Sequence, residues 1–181
     1  MSRYSWVIFI VTGAWFSSAM AEQDYFTAEK CGQCYLTILE SAHVRTIPNS
    51  LSQGRMDNAL GDIKYTLARF PNHPVSLQQL SMVAQMVKNT TLAVSYFERA
   101  ITLYPQYALT RAQYGMFLVA TNNLDAGIEK FKQAIEIEPK LSAGYAGLAH
   151  AYTKKGDLEQ AREAAKNARE LGFAGKLPDG L

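Results

Sequence analysis

LARFP at residues 67–71, AITLYP at 100–105 and AIEIEP at 134–139 are three versions of one ending, and their prolines stand 34 residues apart. A fixed period of that size marks stacked supersecondary units, each unable to bury its apolar face alone. The segments between the prolines read as helix pairs: PVSLQQLSMVAQMVKNTTLAVSYFERAITLYP (74–105), ALTRAQYGMFLVATNNLDAGIEKFKQAIEIEP (108–139) and SAGYAGLAHAYTKKGDLEQAREAAKNARELGF (142–173). Each has an apolar first half, a polar turn and an amphipathic second half. Stacking such hairpins builds an all-α superhelix with a curved surface.

Position-by-position alignment supports this reading. Ala93, Gly127 and Ala161 share one frame, and Ala100, Ala134 and Ala168 another; small residues there let paired helices approach. Phe97 and Phe131 occupy the large position of the second helix, which Ala165 fills in the third unit. The turns Asn89-Thr90-Thr91, Asn122-Asn123 and Gly156-Asp157 are polar, and Thr91, Asp125 and Asp157 are expected to cap the helices that follow. In the third unit the second helix carries Glu159, Arg162, Glu163, Lys166, Arg169 and Glu170 on its outer side, a polar face able to end a stack.

The conjunction of period, small residues, Phe and Pro resembles the tetratricopeptide repeat family over residues 74–173. That family's first-helix pattern is matched loosely, by Leu77, Leu80, Ser81 and Ala84, then Arg111, Tyr114, Gly115 and Leu118, then Tyr145, Leu148, Ala149 and Tyr152. The fold class expected is an α-solenoid of three full repeats and a preceding half repeat. In the half repeat, Ala59 and Pro71 stand one period before Ala93 and Pro105, with a single helix over 57–70 capped by Asp57. Its would-be first helix is expected to be broken by Pro48, so residues 22–56 read as irregular apart from a short helix near 28–40. Residues 57–173 form the repeat domain, and residues 174–181 a flexible tail. The stretch GDIKYTLARFPNHP is also similar to a group of exported proteobacterial repeat proteins, which bears on compartment more than on function.

In this family the first helices line the concave side. Mapped onto this frame, the peptide-binding groove comprises Val75, Gln78, Met82 and Gln85, then Leu109, Ala112, Met116 and Val119, then Ala143, Ala146, His150 and Thr153. The lining is apolar and lacks the cationic cluster that carboxylate-clamping members use. Flexible thioethers adapt to an apolar helix or an extended segment. Self-occupancy by residues 25–47, rich in Phe26, Tyr35, Leu36 and Ile38, is the alternative.

The start of the chain, MSRYSWVIFIVTGAWFSSAMA, has an early Arg, an apolar run and a small-x-small site, and reads as a signal peptide over residues 1–21 cut after Ala21. Cleavage changes 18 basic against 16 acidic residues to 17 against 16. No basic run follows, which argues against nucleic acid, and the apolar run is short for a permanent span, which argues against stable membrane insertion.

Cys31-Gly32-Gln33-Cys34 holds the only two cysteines. Tyr35 follows where c-type haem attachment needs His, and His43, His73 and His150 are scattered, so neither haem nor a metal is expected. A disulfide between Cys31 and Cys34 is the default in an exported chain. No catalytic set recurs at diagnostic spacing, and neither a cofactor nor a small-molecule substrate is indicated. The expected function is a non-enzymatic scaffold or adaptor in the periplasm or outside the cell, binding another protein. The alternative is a thiol-disulfide factor using Cys31 and Cys34, with the repeats recruiting a client.

Overall fold

The computed structural model describes residues 22–28 and 35–180. The expected signal peptide and the Cys31–Cys34 pair lie outside these residues. The described residues are helical, with no strand: α1 (Tyr35–Leu39) running into a π-turn (Glu40–Val44), α2 (Ile47–Ser52), α3 (Met56–Arg69), α4 (Pro74–Met86), α5 (Thr90–Leu103), α6 (Ala108–Ala120), α7 (Leu124–Ile137), α8 (Ser142–Lys155) and α9 (Leu158–Glu170). The pairs α4–α5, α6–α7 and α8–α9 stack as successive hairpins, so the all-α tetratricopeptide-type solenoid is the observed architecture.

The period is written in the backbone. Lys88, Asn122 and Gly156, one repeat apart, all take left-handed φ of 53°, 67° and 90°. After each of them the chain closes the first helix in the same way: Asn89 N–H donates to Ala84 O, Asn123 N–H to Leu118 O, and Asp157 N–H to Tyr152 O, at 2.8–3.0 Å. This is the Schellman closure, which satisfies the orphan carbonyls of a helix end. The second helices stop differently. Phe70, Tyr104 and Glu138 sit at φ of −125°, −132° and −133°, each directly before a proline that disfavours helical geometry in its predecessor.

Capping departs from expectation. The residues before α5 and α7 are Asn89 and Asn123, not Thr91 and Asp125, and neither makes a side-chain bond to the helix. Thr91 instead donates its hydroxyl to Asn89 Oδ1 at 2.7 Å, and Asp125 lies in the first turn of α7. Asp157 does stand at the head of α9, again without a side-chain cap. Asp57 falls inside α3, which begins after Arg55. His73 is the exception: its Nδ1 accepts from the Ser76 amide at 3.1 Å at the head of α4.

Two interlocking cores fill the stack. Ile63, Leu67, Leu77, Leu80, Phe97 and Phe117 form the first, and Val119, Phe131, Leu148, Tyr152 and Ala165 belong to the second. Phe97 lies parallel to Tyr114, ring centroids 5.0 Å apart, joining the first hairpin to the second. Gly115 and Gly127 bring α6 and α7 together: a Cβ on either would come within 3.0 Å of the other's carbonyl.

The region expected to be irregular is largely helical. Pro48 sits in the first turn of α2, where its missing N–H is harmless, and starts a helix rather than breaking one. The half repeat therefore has a two-turn first helix packed on α3. Leu36, Leu39 and Val44 pack on Phe70, and His43 Nδ1 lies 2.7 Å from Asp62 Oδ1. Residues 22–28 cross the ends of the repeats as a strap. Gln23 N–H donates to Arg69 O, Asp24 accepts from Asn72 Nδ2 at 2.7 Å and from Tyr107 OH at 2.5 Å, and Glu22 pairs with Arg99. Phe26 stacks on Tyr107, and Tyr25 meets the buried His73 edge-on.

Candidate functional site

A cleft of about 340 Å³ opens on the concave side between α4 and α6. Its geometry follows from the repeat: residues three and four apart on one helix share a face, and equivalent helices present the same face one period later. Met82 and Met116, one period apart, stand 51% and 47% exposed on facing helices. A soluble surface leaves single apolar residues exposed without consequence, but two flexible thioethers converging on one concavity form an adaptable apolar floor.

Seven of the twelve expected groove residues line this cleft: Gln78, Met82 and Gln85 from α4, Leu109, Ala112 and Met116 from α6, and Ala143 from α8. The other five do not. Val75 is exposed at the head of α4, outside the cleft. Val119 and Ala146 are buried, Val119 with its Cγ2 in the space a side chain on Gly127 would need. Thr153 turns its hydroxyl back to Ala149 O at 2.7 Å. His150 faces the chain's own tail, Nε2 lying 3.1 Å from Lys176 O. The third repeat thus contributes only Ala143 to the open groove, and its His150 is met by the chain's own tail.

Five lining residues escaped the sequence reading: Ser81, Gln113, Phe117, Ala120 and Phe131. Phe131 was assigned to the interior of a second helix. Its ring nevertheless reaches the cleft, because Gly115 and Gly147 on the neighbouring first helices leave room; a Cβ on Gly147 would lie 2.1 Å from Phe131 Cε1. Two glycines in first helices where other units carry Ser81 and Gln113 are the sequence signal for it.

The cleft's polar groups are neutral. Gln78, Gln85, Gln113 and Ser81 contribute amides and a hydroxyl, and no lining residue carries a charge. Gln85 Nε2 donates back to Ser81 O at 3.0 Å. Gln113 Nε2 donates to Pro74 O at 2.9 Å, while its Oε1 is buried and has no partner. A buried acceptor left open costs about 1–3 kcal/mol. Elsewhere on α6, burial and Glu98 raise the Tyr114 hydroxyl above its ordinary pKa, and burial lowers Arg111, whose guanidinium donates to Pro105 O at 2.5 Å.

The residues considered for chemistry have structural partners. His43 meets Asp62, His73 caps α4 and lies 3.3 Å from Glu40 Oε1, and His150 meets the tail. Glu136 and Glu138 are solvated. Among the described residues no group of three or more His, Cys, Asp or Glu is placed to hold a metal, and no helix is long and apolar enough to cross a membrane.

Residues 75–107 and 130–163 each match a model of the tetratricopeptide repeat. Over 87 residues, 48% of this chain, the sequence is 31% identical to the inactive TPR repeat-containing thioredoxin TTL3 of Arabidopsis thaliana. It is 22% identical over 149 residues, 80% of this chain, to the TPR repeat-containing protein MJ1428 of Methanocaldococcus jannaschii. The chain spans only 12% and 26% of the lengths of these two curated relatives. In fold it is similar to MamA (MSR-1 C2), with a TM-score of 0.52 at 23% identity over 74% of this chain and 76% of the other. It is also similar to pilF of Pseudomonas aeruginosa, with a TM-score of 0.59 at 18% identity over 76% and 63%. Residues 75–107 and 130–163 thus carry tetratricopeptide repeats, a repeat that generally binds other proteins, and the structural neighbours share the stacked-hairpin fold.

Proposed function

We propose that the protein is an exported, non-enzymatic adaptor that holds a peptide or helix of a partner protein in the cleft between α4 and α6. The observation that carries this reading is the pair Met82 and Met116, half-exposed on facing helices above an uncharged floor. An apolar concavity of this size gains from taking an apolar side chain out of water, by about 1.5–3 kcal/mol for a buried Leu, Ile or Phe. The neutral amides at its sides suit a partner segment without charges at the contact, since an ion moved there would lose hydration without a counter-charge. Export rests on the Arg3-to-Ala21 pattern and on the resemblance of GDIKYTLARFPNHP to exported repeat proteins, and is tested separately, by N-terminal sequencing of the protein recovered from an envelope fraction.

The binding test compares wild type with Met82→Lys/Met116→Lys as bait in envelope extract, followed by direct titration of whatever wild type retains specifically. Both side chains are exposed, so the double variant is expected to melt within a few degrees of wild type. A charged floor should weaken the identified partner at least about tenfold, the factor that corresponds to 1.4 kcal/mol. Identical affinity for both baits would place recognition elsewhere on the molecule.

A further inference from the structure

The segment that follows α9 is bound to the stack as a ligand would be. Its path is set locally by Gly172, in left-handed geometry at φ 78°, which lets Phe173 N–H donate to Ala168 O at 2.9 Å and reverses the chain. The Phe173 ring then folds over Gly175, where a Cβ would meet Cζ at 2.6 Å. Beyond this fold the Lys176 carbonyl accepts from His150 Nε2, and Leu177 packs against the core of the last two hairpins. The Lys176 ammonium turns away and lies 3.5 Å from Asp179 Oδ2, both groups in water. Among its described contacts the segment offers α8 and the core a carbonyl and an apolar side chain, and residues 173–180 are not helical.

The register of that contact is informative. His150 stands 34 residues after Met116 and 68 after Met82, the two methionines that floor the open cleft. The same face of the same helix is therefore open in the first two repeats and occupied in the third. Met cannot donate a hydrogen bond, whereas the His ring can, with Nε2 carrying the proton that this contact requires.

We propose that the concave face of α8 is a recognition site for an extended segment presenting a backbone carbonyl next to a leucine, and that residues 173–180 are its resident occupant. The inference rests on the reading of the concave side as a binding surface. It leaves open in the third repeat only the start of α8, where Ala143 lines the cleft, so a partner segment reaching His150 must displace the tail. The individual contacts are shallow. The tether through Gly172 makes them sufficient, because a short linker presents the segment at an effective concentration on the order of millimolar.

The test uses full-length protein and a fluorescent synthetic peptide of residues 173–181, FAGKLPDGL. In wild type the site is filled in cis and the peptide should bind poorly. Leu177→Asp releases the tail, and the peptide should then bind at least about tenfold more tightly. Gly175→Val displaces the Phe173 ring and should do the same without altering a core side chain. Adding His150→Ala to either variant should remove the gain. Equal binding to wild type and both release variants, or a gain that survives His150→Ala, overturns the proposal. Neither outcome touches the Met82/Met116 test, which reads the other end of the groove.

Discussion

Gln79 and Gln113 stand one repeat apart and make the same bond backwards along the stack: Gln79 Nε2 donates to Val44 O at 3.2 Å, and Gln113 Nε2 donates to Pro74 O at 2.9 Å. Each ties its helix to the unit before it, and each leaves its own Oε1 buried without a partner. Gly147 occupies the third position of this series, and the Phe131 ring fills the space a side chain there would take.

This pairing separates stability from binding. Replacing either glutamine by leucine loses a bond worth about 0.5–1.5 kcal/mol but also removes an unsatisfied oxygen that costs about 1–3 kcal/mol. Gln79→Leu and Gln113→Leu should therefore melt at or slightly above the wild-type temperature. Only Gln113 lines the cleft, so only Gln113→Leu should weaken a partner identified in the bait experiment. Scanning calorimetry with a binding titration checks both; equal binding loss in the two variants would show that the cleft amide is not a specific acceptor.

Gly147→Ala should destabilise despite placing a better helix former in α8. The propensity gain is at most about 1 kcal/mol, while forcing Phe131 aside in a filled core costs about 1–3 kcal/mol. A fall in melting temperature of about 2–8 °C is expected for a domain of this size. Gly61→Ala is the control, because a Cβ there meets nothing within 4 Å. It should raise the melting temperature by the propensity term alone.

His73→Ala should be among the costliest single changes. The side chain is fully buried, caps α4 through Nδ1 and packs against Tyr25. Loss of a cap costs about 0.5–2 kcal/mol and the cavity adds to it, giving about 2–4 kcal/mol in denaturant titration. His73→Asn, which keeps an acceptor for the Ser76 amide, should recover part of the loss. No difference between the two variants would mean that packing alone matters there.

The strap over the repeat ends should loosen in alkali. Its hydrogen bond to Asp24 raises the Tyr107 hydroxyl, burial and then Asp24 and Glu22 raise Tyr104, and burial and then Glu40 raise Tyr25. A raised folded value favours the neutral phenol in the native state. The stabilisation is then complete below the unfolded value of about 10 and disappears as pH rises through the higher folded values. Amide exchange over residues 22–28 should accelerate above about pH 10 beyond its intrinsic increase. Tyr107→Phe should remove part of that pH dependence while already loosening the strap at neutrality.

The parts of the fold that were legible in the chain are those that repeat. Pro71, Pro105 and Pro139 stop helices by local sterics, and Ala93, Gly127 and Ala161 report close helix approach, so both were readable without neighbours. The expected caps at Thr91 and Asp125 fell inside the helices, because α5 and α7 begin directly after the turns, at Thr90 and Leu124. Pro48 was read as a break, yet its place in a helix depends on whether the helix begins at it, which the packing of Ile47 on the core decides. Gln78, Met82, Leu109 and Met116 fell into the cleft as the period required. Gln113 could not be seen there, and Phe131 only through Gly115 and Gly147, since their reach depends on space left by other helices.

Sequence alone determined the hairpin unit, its length and the direction each helix turns its apolar side, because these follow from dihedral preference, periodicity and turn chemistry within about thirty residues. Only the tertiary structure decided which of the equivalent concave positions stay open. Met82, Met116 and His150 occupy one register, but the chain beyond Gly172 folds back on the third alone. Occupancy of a surface is a matter of what else the chain brings to it, over distances along the sequence that no local preference encodes.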